Sequence, residues 1–227
     1  MAPPLVGIQA IAFDAYGTLF DVHASARAER AALGDRWERL ATAWRERQLQ
    51  YTWVRALAGR HADFRRVTAD ALDWALEALG IRDTALRDRL LALYDRLDAF
   101  PEVPATLAAL HRAGVRLAIL SNGSPDMLAA AVDTARIGGL LEAVLSVEAV
   151  SVYKPHPAVY RLAVDRLGVP PERLGFVSAN GWDAFGAKAA GLRVAWCNRS
   201  GQPADRLPAA PDAVIRDLSE LPALLGA

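Results

Sequence analysis

From Pro104 onward, short apolar runs alternate with stretches of helical periodicity, and this alternation restricts the possible fold more than any other property of the chain. Runs at 115–120, 143–147, 174–177, 193–196 and 213–215 read as strands. Segments 106–113, 125–136, 158–167 and 182–190 read as helices, two of them closed by Gly114 and Gly191. Strands alternating with helices imply a parallel sheet with right-handed crossovers. An earlier run, Ile8 to Phe13, is apolar at nearly every position, the pattern of a strand buried on both faces. Between it and Phe100-Pro101-Glu102-Val103-Pro104 no strand is legible. Apolar residues recur there at three- and four-residue steps, as in Trp37, Leu40, Ala41, Trp44, Gln48, Tyr51 and in Val67, Ala71, Trp74, Ala75, Leu79. The expected fold class is α/β, with a doubly wound, mostly parallel, Rossmann-like core built from 1–21 and 99–227. A helical-bundle cap of about four helices, 22–98, interrupts it after the first strand.

At 227 residues the chain has room for such a core and one inserted subdomain. Hydrophobic residues make up 53% and charged residues 23%, the composition of a globular chain. A formal net charge of zero supplies no field to attract nucleic acid or an anionic membrane, so neither is expected as a partner. No apolar run approaches the ~20 residues of a membrane span, and Met1 to Gly7 lack the marks of a leader peptide. The single cysteine, Cys197, follows Ala195-Trp196 in an apolar run and reads as core, which fits a reducing, cytoplasmic setting. Of the 26 basic residues only Lys154 and Lys188 are lysines. Where a chain so rich in arginine keeps lysine, a compact point charge is a plausible requirement. Lys188 reads as a helix-surface residue, and His23, His61, His111 and His156 read as structural or surface residues.

Polar side chains gather at strand ends. Asp14 follows the first run, Ser121-Asn122-Gly123 the second, and Ser178-Ala179-Asn180-Gly181-Trp182-Asp183 the fourth. Open α/β sheets bind ligands in the crevice outside the carboxyl ends of their strands. One Ser-Asn pair after a strand is ordinary turn chemistry. Two such pairs together with Asp14, and with Lys154 delivered by Val152-Tyr153-Lys154-Pro155, point to a shared site.

With these motifs the chain resembles the L-2-haloacid dehalogenases of the haloacid dehalogenase superfamily. The marks are Asp14-Ala15-Tyr16-Gly17-Thr18, Trp44-Arg45 through Gln48-Leu49 to Tyr51-Thr52-Trp53, Ser121-Asn122-Gly123, Tyr153-Lys154-Pro155, and Ser178-Ala179-Asn180-Gly181-Trp182-Asp183. The resemblance implies attack by Asp14 on C2 of a small 2-haloacid, release of halide, and hydrolysis of the enzyme ester to a 2-hydroxy acid. It implies Lys154 as the positive charge beside Asp14, with Thr18 and Tyr160 orienting the pair. Ser121, with backbone N–H groups around Ala15 and Asn122, would hold the substrate carboxylate. Arg45 and the Asn122 side chain would receive the halide. Asp183, helped by Ser178 and Asn180, would act on the hydrolytic water. Tyr16, Leu49, Phe64 and Trp182 would form apolar walls. No metal or cofactor is implied, and a homodimer is common in the family.

Two enzyme rivals each lack a part. Phosphatases of the superfamily use a second carboxylate two residues after the nucleophile to protonate the leaving alkoxide, and Tyr16 stands there. They also hold Mg²⁺ with acidic residues of the last motif, where this chain has Asn180 and only Asp183 remains. Phosphonate-cleaving relatives need a cap lysine, and 22–98 contains none. A non-catalytic anion-binding member of the fold would have no use for Asp14, Ser121, Lys154 and Asp183 together.

Overall fold

The computed structural model describes residues 5–226; the outermost ends of the expected core segments, 1–4 and 227, lie outside it. Strand β1 (Ala10–Phe13) is followed by five helices with no strand among them: α1 (Ala24–Ala28), α2 (Arg30–Leu33), α3 (Trp37–Leu57), α4 (Phe64–Ala78) and α5 (Thr84–Tyr94). The chain then alternates as α6 (Val103–Arg112), β2 (Arg116–Ser121), α7 (Pro125–Ala135), β3 (Ala143–Ser146), α8 (Pro157–Leu167), β4 (Leu174–Ser178), α9 (Gly181–Ala189), β5 (Arg193–Cys197), β6 (Ala213–Ile215) and α10 (Leu221–Leu225). The helical segment holds five helices where four were expected, because α1 and α2 are too short for their periodicity to register. The five-residue α10 escaped for the same reason. Among the described residues, no helix is long and apolar enough to cross a membrane.

The six strands form one sheet in the order β3-β2-β1-β4-β5-β6, with every pairing parallel. The chain moves outward from β1 through β2 to β3, then returns across β1 to β4. That reversal places the crevice beside the end of β1. The register pairs Phe13 with Ile119 on one side and with Val177 on the other, so Asp14 emerges level with the ends of both neighbours. β1 and β4 are buried at every position, which accounts for their unbroken apolar sequences.

Local chemistry fixes the element ends. Asp63 and Asp83 cap α4 and α5 by accepting from the N–H of Arg66 (2.8 Å) and Leu86 (2.9 Å). Pro157 opens α8 and Gly168, in the left-handed region at φ 62°, closes it. Lys188 is more than a surface residue: its ammonium meets Asp212 at 2.8 and 2.9 Å, and Asp212 also accepts from Val194 N (2.8 Å), tying α9 to β5. Cys197 is fully buried, and that burial pushes its thiol up to about 11.

The helical segment touches the core along two lines. At its root, Asp21 N donates to Asp98 O (3.0 Å) and Phe100 N to Leu19 O (2.9 Å). Farther out, residues 61–65 sit on the core. His61 Nε2 meets Glu148 at 2.8 Å, the Arg65 N–H donates to Ser124 Oγ (3.1 Å), and Tyr153 donates to Ala62 O (2.5 Å). The Arg65 guanidinium also pairs with Asp126 of the core at 2.8 Å. His61 was expected to have only a structural or surface role, and it forms one of these bridging contacts.

Gly186 of α9 marks the tightest helix crossing near the site. A methyl group there would run into the Tyr160 hydroxyl and come within 2.7 Å of Pro155 Cβ. Gly186→Ala is expected to lower unfolding free energy by about 1–3 kcal/mol through overpacking, read as a lower urea midpoint with unchanged slope. An unchanged midpoint would mean that α8 and α9 have slack.

Candidate active site

Asp14 leaves β1 with its own N–H bound to Val177 O (2.9 Å) and its carboxylate almost fully buried. The two carboxylate oxygens differ. Oδ2 accepts from Thr18 Oγ1 (3.0 Å) and Asn180 Nδ2 (2.9 Å), with Ser178 Oγ at 3.5 Å. Oδ1 accepts from Lys154 Nζ at 3.0 Å. One oxygen is thus crowded with donors, while the other keeps lone-pair capacity. Thr18 is fixed in turn, since its hydroxyl accepts from Ala179 N at 2.8 Å. Asn180 N donates to Ser178 Oγ (3.1 Å), so the end of β4 is folded around the Asp14 carboxylate.

Lys154 is 1% exposed and bridges two acids, reaching Asp183 Oδ2 at 2.9 Å as well as Asp14. Burial alone would pull its pKa down. The charges of Asp14 and Asp183 outweigh that, and the ammonium is held above the ordinary lysine value. Asp183 is fully buried in the first turn of α9, where the helix dipole favours a negative charge. Burial, with a further push from Asp14, nevertheless raises its carboxyl above the usual range, against the lowering effects of Lys154 and of the Tyr160 hydroxyl. Tyr160 donates to Asp183 Oδ1 at 2.7 Å. This corrects the expectation for Tyr160, whose hydrogen bond is to Asp183 and not to Lys154. It is also fully buried and does not border the cavity.

The cavity above Asp14 is bordered by Tyr16, Arg45, Leu49, Phe64, Ser121, Asn122, Asn180 and Trp182. Free space among them is only about 10 Å³, close to the minimum that admits one water molecule. Ser121 Oγ accepts from Gly123 N (3.0 Å) and retains its hydroxyl proton for the cavity. Asn122 Oδ1 accepts from Lys154 N (3.1 Å), which leaves its amide NH₂ for the cavity. Ala15 is wholly buried behind Asp14, and its carbonyl accepts from Leu19 N (2.9 Å) and Phe20 N (3.0 Å). Asp183, Lys154, Thr18 and Ser178 stand behind Asp14 and do not wall the cavity.

Arg45 enters from α3. It donates to Tyr16 O (3.0 Å) and Gln48 Oε1 (2.9 Å), leaving three of its five N–H groups uncommitted to these bonds. Two residues outside the expected set support the site: Gln48 fixes Arg45, and Arg199 fixes the turn that carries Thr18. Gln48, 1% exposed, donates to Thr68 Oγ1 (2.7 Å) and to Tyr94 Oη (3.2 Å). Gln48 was legible in principle, as an amide on the apolar stripe of α3. Arg199 carried no local mark: it follows β5, lies over the Phe100 ring at 3.9 Å, and donates to Thr18 O at 2.8 Å.

Comparison with known proteins places this geometry in a family. Residues 8–191 match the model of the haloacid dehalogenase-like hydrolases. The chain is 44% identical over 219 residues to (S)-2-haloacid dehalogenase 1 of Pseudomonas sp. (strain CBS-3), covering 96% of each chain. It is 41% identical over 209 residues to haloacetate dehalogenase H-2 of Moraxella sp. (strain B), covering 92% of this chain and 93% of that one. Among solved structures, the L-2-haloacid dehalogenase of Xanthobacter autotrophicus with chloropropionic acid covalently bound superimposes with a TM-score of 0.88 at 41% identity, over 96% of this chain and 98% of that one. The chain belongs to the haloacid dehalogenase-like hydrolases, in the branch of the L-2-haloacid dehalogenases.

Proposed function

We propose that the protein hydrolyses short L-2-haloalkanoic acids to 2-hydroxy acids and halide, without a metal ion, and that residues 22–98 act as a cap over a core of 1–21 and 99–227. One observation carries the reading: a single buried carboxylate, Asp14, borders a nearly closed cavity of mixed polar and apolar walls, with one oxygen fixed by three donors and the other held by Lys154 alone. Oδ1 is therefore the attacking atom. Its lone pair forms the bond to C2 as the carbon–halogen bond breaks and the halide leaves with the bonding pair. Halide needs no proton to leave, so Tyr16 can stand where a general acid would otherwise be required. Ser121 and Asn122 bind the substrate carboxylate, and the uncommitted Arg45 N–H groups meet the departing halide.

The ester neutralises Asp14, and the Lys154 charge then falls on Asp183 alone. Water attacks the Asp14 carboxyl carbon while Asp183 takes its proton. The carbonyl–alkoxy bond breaks as the second proton of that water passes to the alkoxide oxygen, releasing the 2-hydroxy acid with inverted configuration and an Asp14 carboxylate that carries one oxygen from water. The reverse transfer of the Asp183 proton to solvent closes the cycle. Thr18, Asn180 and Ser178 keep the acyl group in place, and Tyr16, Leu49, Phe64 and Trp182 exclude other water. A buried thiol as the single cysteine suits cytoplasmic residence, and a homodimer belongs to the same reading.

Three measurements test this. Halide release from the separate enantiomers of 2-chloropropionate in EDTA is expected from the L form alone; Mg²⁺-dependent cleavage of p-nitrophenyl phosphate with no halide release would replace the reading by a phosphatase. Lys154→Arg is expected to lower kcat by about a hundredfold or more, because a planar fork cannot serve two converging carboxylates as a point charge does. Full activity would remove the role given to the ammonium. The third concerns pH. Asp183 must be ionised to accept a proton, so activity falls as pH drops through its raised pKa. The Tyr160 hydroxyl lowers that pKa, so Tyr160→Phe moves the acid limb of kcat to higher pH; a limb that stays put would detach Asp183 from the rate.

A further inference from the structure

Trp182 borders two spaces. One is the tight cavity above Asp14, with about 10 Å³ free. The other is a groove of about 370 Å³ between the last turns of α3 and the loop carrying Lys154. Trp53, Ala56 and Leu57 form one side of this groove, and Tyr153, Pro155 and His156 the other. Lys154 borders the groove and bonds Asp14, so the groove begins where the reaction site ends. The partition is one indole, which meets Trp53 edge to face with ring centres 5.4 Å apart.

The dehalogenase reading assigns two of the four substituents of C2 and the direction of attack, leaving the hydrogen and the alkyl group. The carboxylate goes to Ser121 and Asn122, the halogen to Arg45, and Asp14 approaches opposite the halogen. The remaining alkyl group must meet the apolar walls, and its volume exceeds the free space beside them. Of those walls, Trp182 is the one with open apolar space beyond it. We propose, resting on the dehalogenase reading, that this groove is a tail site for 2-haloacids with alkyl chains longer than propionate, and that Trp182 swings between closing the cavity over short substrates and admitting the longer chain. Apart from Lys154 and Trp182, the residues of the groove have no part in the displacement itself. Ala56 and Leu57 therefore act on chain length alone. Leu57 is 90% exposed, so a change there leaves the folded core intact.

The test is kcat/KM for bromide release from (S)-2-bromopropanoate, -butanoate, -hexanoate and -octanoate on the wild type, Ala56→Trp and Leu57→Asp. Each methylene that enters the groove is expected to raise the wild-type value by up to about fourfold. Ala56→Trp fills the groove and Leu57→Asp charges it. Both are expected to cut hexanoate and octanoate by about tenfold or more while propanoate stays within about twofold. Wild-type turnover confined to the two shortest acids would overturn the tail site while leaving the dehalogenase reading in place. So would variants that slow every chain length equally, or unchanged profiles with a dimer that Leu57→Asp dissociates in sedimentation, which would make the groove a contact with a second copy. No bromide from any acid would overturn the dehalogenase reading and the tail site with it.

Discussion

An ammonium as deeply buried as that of Lys154 stays charged only because Asp14 and Asp183 lie 3.0 and 2.9 Å from it, and neither acid could be buried as an anion without it. Removing a charge of this size from water costs several kcal/mol, so the three groups stand or fall together. The sheet brings them into contact. Asp14 comes from the end of β1, Asp183 from the helix after β4, and Lys154 from the loop after β3. A one-residue slip of β1 would turn Asp14 away from Lys154 and leave its buried charge unpaired. Register and chemistry are therefore selected by the same interaction.

Two carboxylates and one ammonium leave the cluster one negative charge in excess, an environment hostile to an anionic substrate. Arg45 supplies the missing positive charge, and it does so from α3, outside the sheet. The site reaches neutrality only when the helical segment is seated. Contacts of residues 61–65 with Glu148, Ser124 and Asp126 seat it, while Gln48 and Tyr94 fix the direction of Arg45. Cover of the site and its charge balance thus come from the same side chain, Arg45 of α3.

The sheet was legible because strands buried on both faces leave continuous apolar runs, and each run ends within two residues of its strand. Asp14 was legible for a related reason, since a polar residue directly after such a run has to emerge at the crevice, whereas Lys154 stood out by the scarcity of lysine and Asp183 by the polar motif after β4. What escaped is what depends on distance across the fold. Tyr160 sits at an ordinary helical position, and its assignment to Asp183 rests on how closely α8 meets α9 at Gly186. Arg199 reaches Thr18 across 181 positions of sequence, and no local pattern encodes that contact. His61 and Glu148 are separated by 87 positions, so spacing could not pair them.

Tyr16 brings these constraints together. Its ring stacks on Tyr94 at 5.6 Å and packs on Phe64 at 5.4 Å, and its hydroxyl is buried with no hydrogen-bond partner among the described residues. Burial pushes that hydroxyl well above its ordinary pKa, so it stays neutral. A carboxylate in its place would be a third anion beside Asp14 and Asp183, with only Lys154 and Arg45 to balance them before an anionic substrate arrives. It would also draw in water or a cation to meet its lone pairs. The aromatic ring adds no charge to the site, which in the proposed mechanism preserves the nucleophilicity of Asp14 Oδ1. A leaving group that needs a proton then has no donor at this position, whereas halide needs none. Under the proposed mechanism, the identity of one side chain two residues past Asp14 thereby sets both the charge balance of the cavity and the class of bond it can break.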